Sequence, residues 1–399
     1  MHSFCGKFSL TRQDLLSTIF RIFLILILTA GVCFGQRPGS GITIGRTILL
    51  SSKILNEERQ LDIYLPPRYN LTNARYPVVI LLDGEQNFLH TVGSSNFLAR
   101  TGDLPQLIIV GIPNTNRNRD FTPTATAQNP AGGGAEKFIS FMRNELLPNI
   151  DRNFRTVPFR ILIGNSLCGM FTLYQLIRHG DLFQGYIAIS PYLRYDNFLL
   201  LKMIDEKNIP FYPGRRFLYL TAGPEPADGG SMQQLIGQLK KTAPENLLWN
   251  YQENTSGTSN TLPLTAVPAG LSSIFSRWPV PESIAETNLD SLTVQFEKYS
   301  RFYGYNQPIP EDYLNNIAYQ AMADGQIAEA LRMFRFNAAN YPDSPNVYDS
   351  LGEGLETAGL LAEAAEQYRI AIEKGKGGSD SNLPAYEEHL KRVMEKIDQ

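Results

Sequence analysis

Cysteine and net charge are both scarce in this chain of 399 residues. Of three cysteines, Cys5 and Cys33 lie in an N-terminal segment that we expect to be removed, which leaves only Cys168. A lone cysteine forms no internal disulfide, so core burial must stabilise the fold. The formal net charge of −3 gives no basic field and argues against nucleic acid as a partner. The sequence contains no metal-ligand cluster, phosphate-cradling loop or cofactor motif, so we expect neither a metal nor a cofactor.

The N-terminus has the pattern of an export signal. Basic residues precede the uncharged stretch 22–34, whose length suits a signal peptide but is short for a membrane span. Cys33 and Gly35 are the small residues that signal cleavage requires. We therefore expect residues 1–35 to be a signal peptide and the mature protein to be periplasmic or extracellular. An uncleaved membrane anchor is the alternative.

Eight short apolar runs have the length and composition of strands. They are Thr47–Ile54, Gln60–Leu65, Val78–Leu82, Leu107–Gly111, Arg160–Gly164, Tyr186–Ser190, Phe217–Thr221 and Leu247–Gln252. The first two alternate or are short, as in an antiparallel edge hairpin, whereas the other six resemble strands buried on both faces of a parallel sheet. Helical segments separate most of the later runs, namely 136–150, 167–176, 232–240 and 269–275. This order predicts a doubly wound α/β fold with an eight-stranded, mainly parallel sheet.

A repeat begins after Glu311. Five residues, Leu314, Ala318, Gly325, Ala330 and Phe334, are followed at a constant offset by Tyr348, Gly352, Gly359, Ala364 and Tyr368. Small residues at helix crossings, an aromatic residue at one offset and a period of about 34 residues are typical of the tetratricopeptide repeat. We predict two repeats and a capping helix over residues 311–399, after a linker with a docking helix at 281–310. The concave groove of such a tail is suited to docking a protein partner.

The fifth predicted strand ends in the segment Gly164–Gly169 (GNSLCG), and a helix follows. A serine on a tight turn between strand and helix is the nucleophile elbow of serine hydrolases, which exposes the hydroxyl at the carboxyl edge of the sheet. Ser166 holds that position, whereas Cys168 stands where the usual elbow has glycine. An ordinary strand-to-helix turn is the alternative.

Residues from about 45 to 278 resemble the esterase D family of α/β-hydrolases, which includes enterochelin esterases, feruloyl esterases and mycolyltransferases. Six segments carry the likeness in the family's order: Leu81–Glu85, Arg119–Thr124, Lys137–Arg155, Arg160–Gly169, Tyr186–Asn197 and Leu262–Phe275. The resemblance implies an α/β-hydrolase domain over residues 36–280 that hydrolyses small or carbohydrate-linked acyl esters through Ser166. Members with a repeat tail are a familiar variant of this family.

The resemblance also implies the other parts of the site. The backbone N–H of Leu167 would form one half of the oxyanion hole, and the loop around Gly84 and Glu85 the other half. The acid of the catalytic triad would follow the seventh strand, where Glu225 fits and Asp228 is the second candidate.

The expected histidine base is missing. In the family a histidine precedes the run that here reads Thr261–Leu264, but residues 253–260 contain none, and Ser259 is nearest to the usual place. His90, just after the oxyanion loop, is the candidate substitute base, since the other histidines of the mature chain are expected farther away. Two hypotheses remain: a weak or degenerate serine esterase, or a non-catalytic binding protein that retains an esterase-like pocket.

Overall fold

The computed structural model describes residues 43–223, 230–254, 258, 260–280, 288–378 and 380–399. The predicted signal peptide, Glu225, Asp228 and Ser259 lie outside these residues. Residues 44–399 form one compact unit, in which we call residues 44–280 the sheet domain and residues 311–399 the tail. Within the described ranges, we find no helix with the length and apolar character needed to cross a membrane.

The described residues contain eight strands, which form a single sheet. They are β1 Arg46–Ser52, β2 Glu57–Tyr64, β3 Tyr76–Leu82, β4 Ile108–Ile112, β5 Thr156–Asn165, β6 Gly185–Ile189, β7 Arg216–Ala222 and β8 Leu247–Glu253. The spatial order is β1-β2-β4-β3-β5-β6-β7-β8. The β1–β2 and β2–β4 pairs are antiparallel and the other pairs are parallel, which confirms the mainly parallel sheet and its edge hairpin.

Strand β3 shows why continuous apolar runs became central strands. All seven of its residues are buried. Val78 and Ile80 belong to the hydrophobic core on one face of the sheet, whereas Val79 belongs to the core on the other face. Because both faces are covered, a parallel strand needs apolar residues at every position rather than at alternate positions.

The helices of the sheet domain connect these strands. They are α1 Gly84–Arg100, α2 Arg117–Asp120, α3 Ala135–Phe141, α4 Leu147–Asn153, α5 Leu167–His179, α6 Tyr195–Lys207, α7 Ser231–Thr242 and α8 Leu262–Ile274. A π-helical turn, Met142–Leu146, joins α3 to α4. Helices α1, α2 and α6 were not predicted from the sequence. Helix α1 matters most for the site, because it begins directly after the carboxyl end of β3.

The C-terminal region is helical. Helix α9, Leu289–Tyr303, precedes four tail helices that form two consecutive hairpins, and a last helix follows. These are α10 Glu311–Ala323, α11 Ile327–Asn340, α12 Pro345–Thr357, α13 Leu361–Gly378 and α14 Leu383–Ile397. Gly325 and Gly359 take equivalent left-handed turns, with φ of 79° and 77°. The side chains of Ala330 and Ala364 are buried at matching positions of the two hairpins.

An ionic cluster fastens the last helix to α12, and we call it the tail network. Glu356 on α12 accepts hydrogen bonds from Arg392 Nη2 at 2.9 Å and Lys396 Nζ at 2.8 Å. Asp349, two turns earlier on the same face of α12, lies 2.9 Å from His389 Nδ1. The network therefore joins two helices through side chains alone.

The tail is attached to the amino edge of the sheet. Arg68, which precedes β3, contacts Glu311 at 3.0 Å and Asp312 at 2.9 Å in the first tail helix. The ring of Tyr303 in α9 packs on Phe159 and Phe217, which lie in the amino-terminal halves of β5 and β7. One continuous hydrophobic core runs from this face of the sheet through α9 into the tail. The carboxyl edge of the sheet, where α5 begins, is the opposite edge.

Candidate active site

Ser166 lies between β5 and α5 with φ 56° and ψ −114°, a conformation that costs a residue with a side chain about 1–3 kcal/mol. Its backbone N–H donates to Ile189 O at 2.8 Å, and its carbonyl accepts from Met170 N at 2.9 Å and Tyr192 N at 3.1 Å. These three bonds hold the turn in its strained geometry. The serine is half-buried at the carboxyl edge of the sheet.

Two glycines make this turn sterically possible. A Cβ atom at Gly164 would lie 2.3 Å from Cys168 O, and one at Gly169 would lie 2.7 Å from Ile189 O. Gly169 thus provides the close approach of helix to strand, one position after the usual elbow glycine. Cys168 is tolerated at the usual place because its side chain is completely buried in the hydrophobic core of the sheet domain.

Helices α1 and α5 begin side by side at this edge, because β3 and β5 are paired neighbours. Leu167 is the first residue of α5, and Gly84 is the first residue of α1. The free N–H groups and the positive dipole ends of both helices therefore face the same region, as an oxyanion hole requires. A Cβ at Gly84 would lie 2.7 Å from Ile112 N, so glycine is required there as well.

The side chain of Glu85 takes part in loop structure. Its carboxylate accepts from the backbone N–H of Asn114 at 3.1 Å and from Asn114 Nδ2 at 2.7 Å. Glu85 therefore fixes the loop after β4 against the start of α1. Only its backbone is available for an oxyanion hole of the predicted kind.

An ion pair between the buried Asp83 and the half-buried Arg117, next to the serine, was missed by the sequence analysis. The carboxylate of Asp83 accepts from Arg117 Nε at 2.8 Å and Arg117 Nη2 at 3.0 Å, and from Asn114 Nδ2 at 2.7 Å. Arg117 Nη2 also donates to the carbonyl of Asn165 at 3.1 Å. Asp83, Asn114, Arg117 and that carbonyl form what we call the elbow network. It ties the loops after β3, β4 and β5 together next to Ser166.

Cys168 contacts this network. The sequence places no charged residue beside it, but the fold places both Asp83 and Arg117 next to its sulfur. Burial and the Asp83 carboxylate raise the pKa of the Cys168 thiol well above its usual range, although Arg117 opposes them. A protonated, fully buried thiol is a poor nucleophile, which favours a packing role. Burial disfavours the charge of Arg117, yet the bonds to Asp83 raise its pKa overall.

None of the described histidines partners the serine. His90 Nε2 lies 3.0 Å from Asn87 Oδ1, His179 Nε2 lies 2.8 Å from Glu136, and His389 bonds Asp349. Within the described ranges, the Ser166 hydroxyl has no hydrogen-bonded side chain as partner. The proposed acid, Glu225, lies outside those ranges, as does the place where the family histidine would stand.

His90 is set back from the serine along α1. It follows the helix start by six residues, which corresponds to roughly 9 Å of helix rise. Burial lowers its pKa, and its Nδ1 atom is buried without a partner. The candidate substitute base is therefore neutral and already hydrogen-bonded to a neighbour on its own helix.

Two loops are bonded to each other near the serine, whose carbonyl accepts from Tyr192 N. Thr124 Oγ1 donates to Asp196 Oδ2 at 2.7 Å, and the Tyr195 hydroxyl donates to Thr124 O at 2.5 Å. Three successive residues, Asp196 to Phe198, have left-handed backbone conformations, with φ of 45°, 53° and 63°. Such runs are costly for residues other than glycine, so the bonds between the two loops must hold them in place.

Among the described residues, no group of histidine, cysteine, aspartate or glutamate could hold a metal ion.

Comparison with known proteins agrees with this geometry. Residues 52–262, more than half of the chain, match the model of the esterase family described as "Putative esterase". The ferri-bacillibactin esterase of Bacillus subtilis (strain 168) is 34% identical over 180 residues, which are 39% of this chain and 61% of that protein. The chain thus spans about three fifths of that relative.

Two solved structures extend the likeness. An IroE-like serine hydrolase from Shewanella oneidensis is 27% identical with a TM-score of 0.65, over 73% of this chain and 98% of that one. An uncharacterised protein from Capnocytophaga ochracea DSM 7271 is 18% identical with a TM-score of 0.56, over 88% of this chain and 99% of that one. The second match shows a shared fold alone, over a larger share of this chain than the first match.

Proposed function

The chain belongs to the esterase family, and from this premise we propose that it is an exported serine hydrolase of carboxylic esters whose activity through Ser166 is weak or degenerate. The observation that carries the proposal is the strained turn at Ser166, held by three backbone bonds at the junction of β5 and α5. A serine hydroxyl presented beside two helix N-termini suits attack on an acyl carbon with stabilisation of the oxyanion.

The proposed weakness rests on the histidines. A serine hydroxyl needs a positioned base, and the described histidines all bond to other groups. In a serine protease the loss of the triad histidine costs about 10⁶ in kcat, while roughly 10³–10⁴ over water survives from the oxyanion hole and binding. Residual hydrolysis through Ser166 is therefore expected to be slow.

In this proposal Glu225 is the acid of the site. The N–H groups of Leu167 and of the loop at Gly84 and Glu85 form the oxyanion hole. His90 is the candidate substitute base.

The proposed substrates are small or carbohydrate-linked acyl esters. Two relatives support an ester as the substrate class, namely the ferri-bacillibactin esterase of Bacillus subtilis and a protein of Aspergillus fumigatus named siderophore triacetylfusarinine C esterase. The proposal of export to the periplasm or the exterior rests on the composition of residues 1–35. The proposed reaction needs neither a metal nor a cofactor.

A non-catalytic binding protein is the second candidate, because a pocket can outlast the loss of its base. In both cases we propose that the tail consists of tetratricopeptide repeats that dock a protein partner. The 34-residue separation of the hydrogen-bonded pair Tyr319 and Glu353, in successive hairpins, supports this assignment.

A fluorophosphonate probe tests the esterase proposal, since it labels only an activated serine. We expect slow labelling of the parent that disappears in Ser166→Ala, with Ser94→Ala in α1 as a matched control that leaves the labelling unchanged. No labelling above the Ser166→Ala background would contradict the esterase and favour the binding protein.

Restoring a base tests why the activity is weak. If only proton transfer is missing, Ser259→His should increase the hydrolysis of p-nitrophenyl acetate by about 10²-fold or more, and adding Ser166→Ala should remove the gain. Thr258→His samples the neighbouring position. Fast hydrolysis by the parent, abolished by His90→Ala, would instead identify His90 as the base.

A further inference from the structure

A cavity lies at the amino edge of the sheet, opposite the edge that carries Ser166, and we call it the junction cavity. It has a volume of about 550 Å³ and is lined by the sheet domain, the connecting segment and the first tail helix. Tyr76, the first residue of β3, forms part of its wall. The six residue steps from Tyr76 to Leu82 correspond to roughly 20 Å along the strand, so this cavity is separate from the elbow.

The walls of the junction cavity are fixed on both sides. Arg68 donates to Asp312 Oδ1 at 2.9 Å and Ser344 Oγ at 2.8 Å, which fastens the tail to the segment before β3. The ring of Trp278 stacks on Tyr299 with centroids 5.9 Å apart and meets Phe296 edge-on at 5.8 Å. A ligand that enters a cavity with fixed walls pays little for ordering them, which favours affinity.

The lining combines aromatic rings with unpaired positive charge. Tyr76, Trp278, Phe296, Tyr313 and Tyr341 line the cavity. Its charged lining residues are Arg68, Arg75, Arg100, Glu311 and Asp312. Both carboxylates contact Arg68, whereas Arg75 and Arg100 form no ion pair with the described residues. Arg75 donates one hydrogen bond to Thr156 O at 3.3 Å, and both side chains are exposed.

We propose that the junction cavity binds an amphipathic organic anion, with a flat apolar or aromatic body and a single carboxylate or sulfonate group. The aromatic walls would hold the body, and the guanidinium groups of Arg75 and Arg100 would pair with the anion. The volume lies within the roughly 300–1,000 Å³ range of small-molecule sites, which occur preferentially between domains. Since the ligand would touch the sheet domain and α10 together, its binding would stabilise their contact.

Tryptophan fluorescence tests the proposal without any assay of catalysis. The chain has two tryptophans, Trp249 and Trp278, so Trp249→Phe leaves Trp278 as a reporter inside the cavity. Titration with 2-naphthalenesulfonate should change this emission saturably with a stoichiometry of one. The neutral analogue 2-naphthalenemethanol should bind at least about tenfold more weakly, and 2-naphthoate should bind like the sulfonate.

Paired arginine variants locate the site. Arg75→Gln with Arg100→Gln should weaken binding of the sulfonate at least about tenfold. The control Arg194→Gln removes an exposed arginine at the carboxyl edge, near Ser166, and should leave binding unchanged. Binding should also be the same in Ser166→Ala, so the outcome does not depend on the proposed esterase activity.

Three results would overturn the proposal. They are no saturable change in the Trp278 emission, equal affinity for the neutral analogue, and loss of binding in Arg194→Gln but not in the double variant. The last result would show that the ligand binds near Ser166 and not in the junction cavity. As a check on folding, the double variant should unfold at the same temperature as the parent when no ligand is present.

Discussion

The elbow network and the tail network use the same chemical groups for different purposes. In the elbow network Arg117 joins a buried carboxylate to a backbone carbonyl, that of Asn165, next to a strained residue. In the tail network Glu356 meets Arg392 and Lys396 through side chains on two regular helices. Loss of the first network should therefore alter the position of a reactive group, whereas loss of the second should alter stability alone.

Packing should stabilise the tail more than its ionic contacts do, and Ala330→Arg tests this most severely. Ala330 is 1% exposed, so arginine would force a charge and extra volume into a helix crossing. We expect a loss of more than about 3 kcal/mol, from charge burial and overpacking together, in denaturant unfolding of the tail. Ala328→Arg, at an exposed position of the same helix, is the control. Equal melting of the two variants would refute the assigned packing of the hairpins.

Asp83→Asn breaks the bidentate pair next to the serine. We expect a loss of about 2 kcal/mol in unfolding free energy, because a hydrogen-bonded charge is left uncompensated. We also expect fluorophosphonate labelling at Ser166 to slow about tenfold or more. Arg117→Lys should retain part of the stability but not the labelling rate, since lysine lacks the bidentate geometry. Unchanged labelling in both variants would mean that the elbow network has no influence on the serine.

Glu356→Gln removes the central charge of the tail network. Burial would raise the pKa of Glu356, but the bonds from Arg392, Lys396 and Tyr368 outweigh burial and lower it to about 2. The stabilisation is therefore complete above the ordinary value of 4.5 and is lost as the pH falls towards 2. We expect the variant to lose about 1–2 kcal/mol at pH 7 and to match the parent near pH 2. Its labelling at Ser166 should equal that of the parent.

Asp349→Asn should give the smallest effect, with the opposite dependence on pH. Burial raises the pKa of Asp349 from 3.8 to about 6, although the bond to His389 opposes the shift. The neutral acid is the better-accommodated form, so its contribution to stability is complete below pH 3.8 and is lost as the pH rises through 6. The asparagine of the variant has no charge to bury. The unfolding free energy of the variant should therefore exceed that of the parent by about 1 kcal/mol at pH 7 and equal it at pH 4. A parallel shift at both values would show that Asp349 does not titrate in this range.

The strands were the most predictable part of the fold. Continuous apolar runs such as Val78–Leu82 reflect burial on both faces, and this requirement can be read directly from the residues. Helix α1 escaped prediction because its buried face carries Asn87, Thr91 and Ser95, which reverses the usual pattern of an amphipathic helix. Helix α6 was missed because its first turn contains three left-handed residues instead of a regular start.

The serine could be found from sequence but its support could not. Ser166 follows a predicted strand and precedes a predicted helix, so local order locates it. Asp83 and Arg117 are distant in sequence, and it is the pairing of β3 with β4 and with β5 that brings them together beside the turn. A buried strand followed at once by an aspartate is the one local signal that could have suggested the pair.

The attachment of the tail to the amino edge determines which way Ser166 faces when the molecule is held by its tail. A protein held by its C-terminal helix, on a partner or on a resin, would point the carboxyl edge away from its support. Large esters, including those embedded in a polymer, could then approach Ser166 head-on while the tail remains engaged. Attachment of the molecule and access of the ester to Ser166 would thus depend on different parts of the chain, the tail and the carboxyl edge of the sheet.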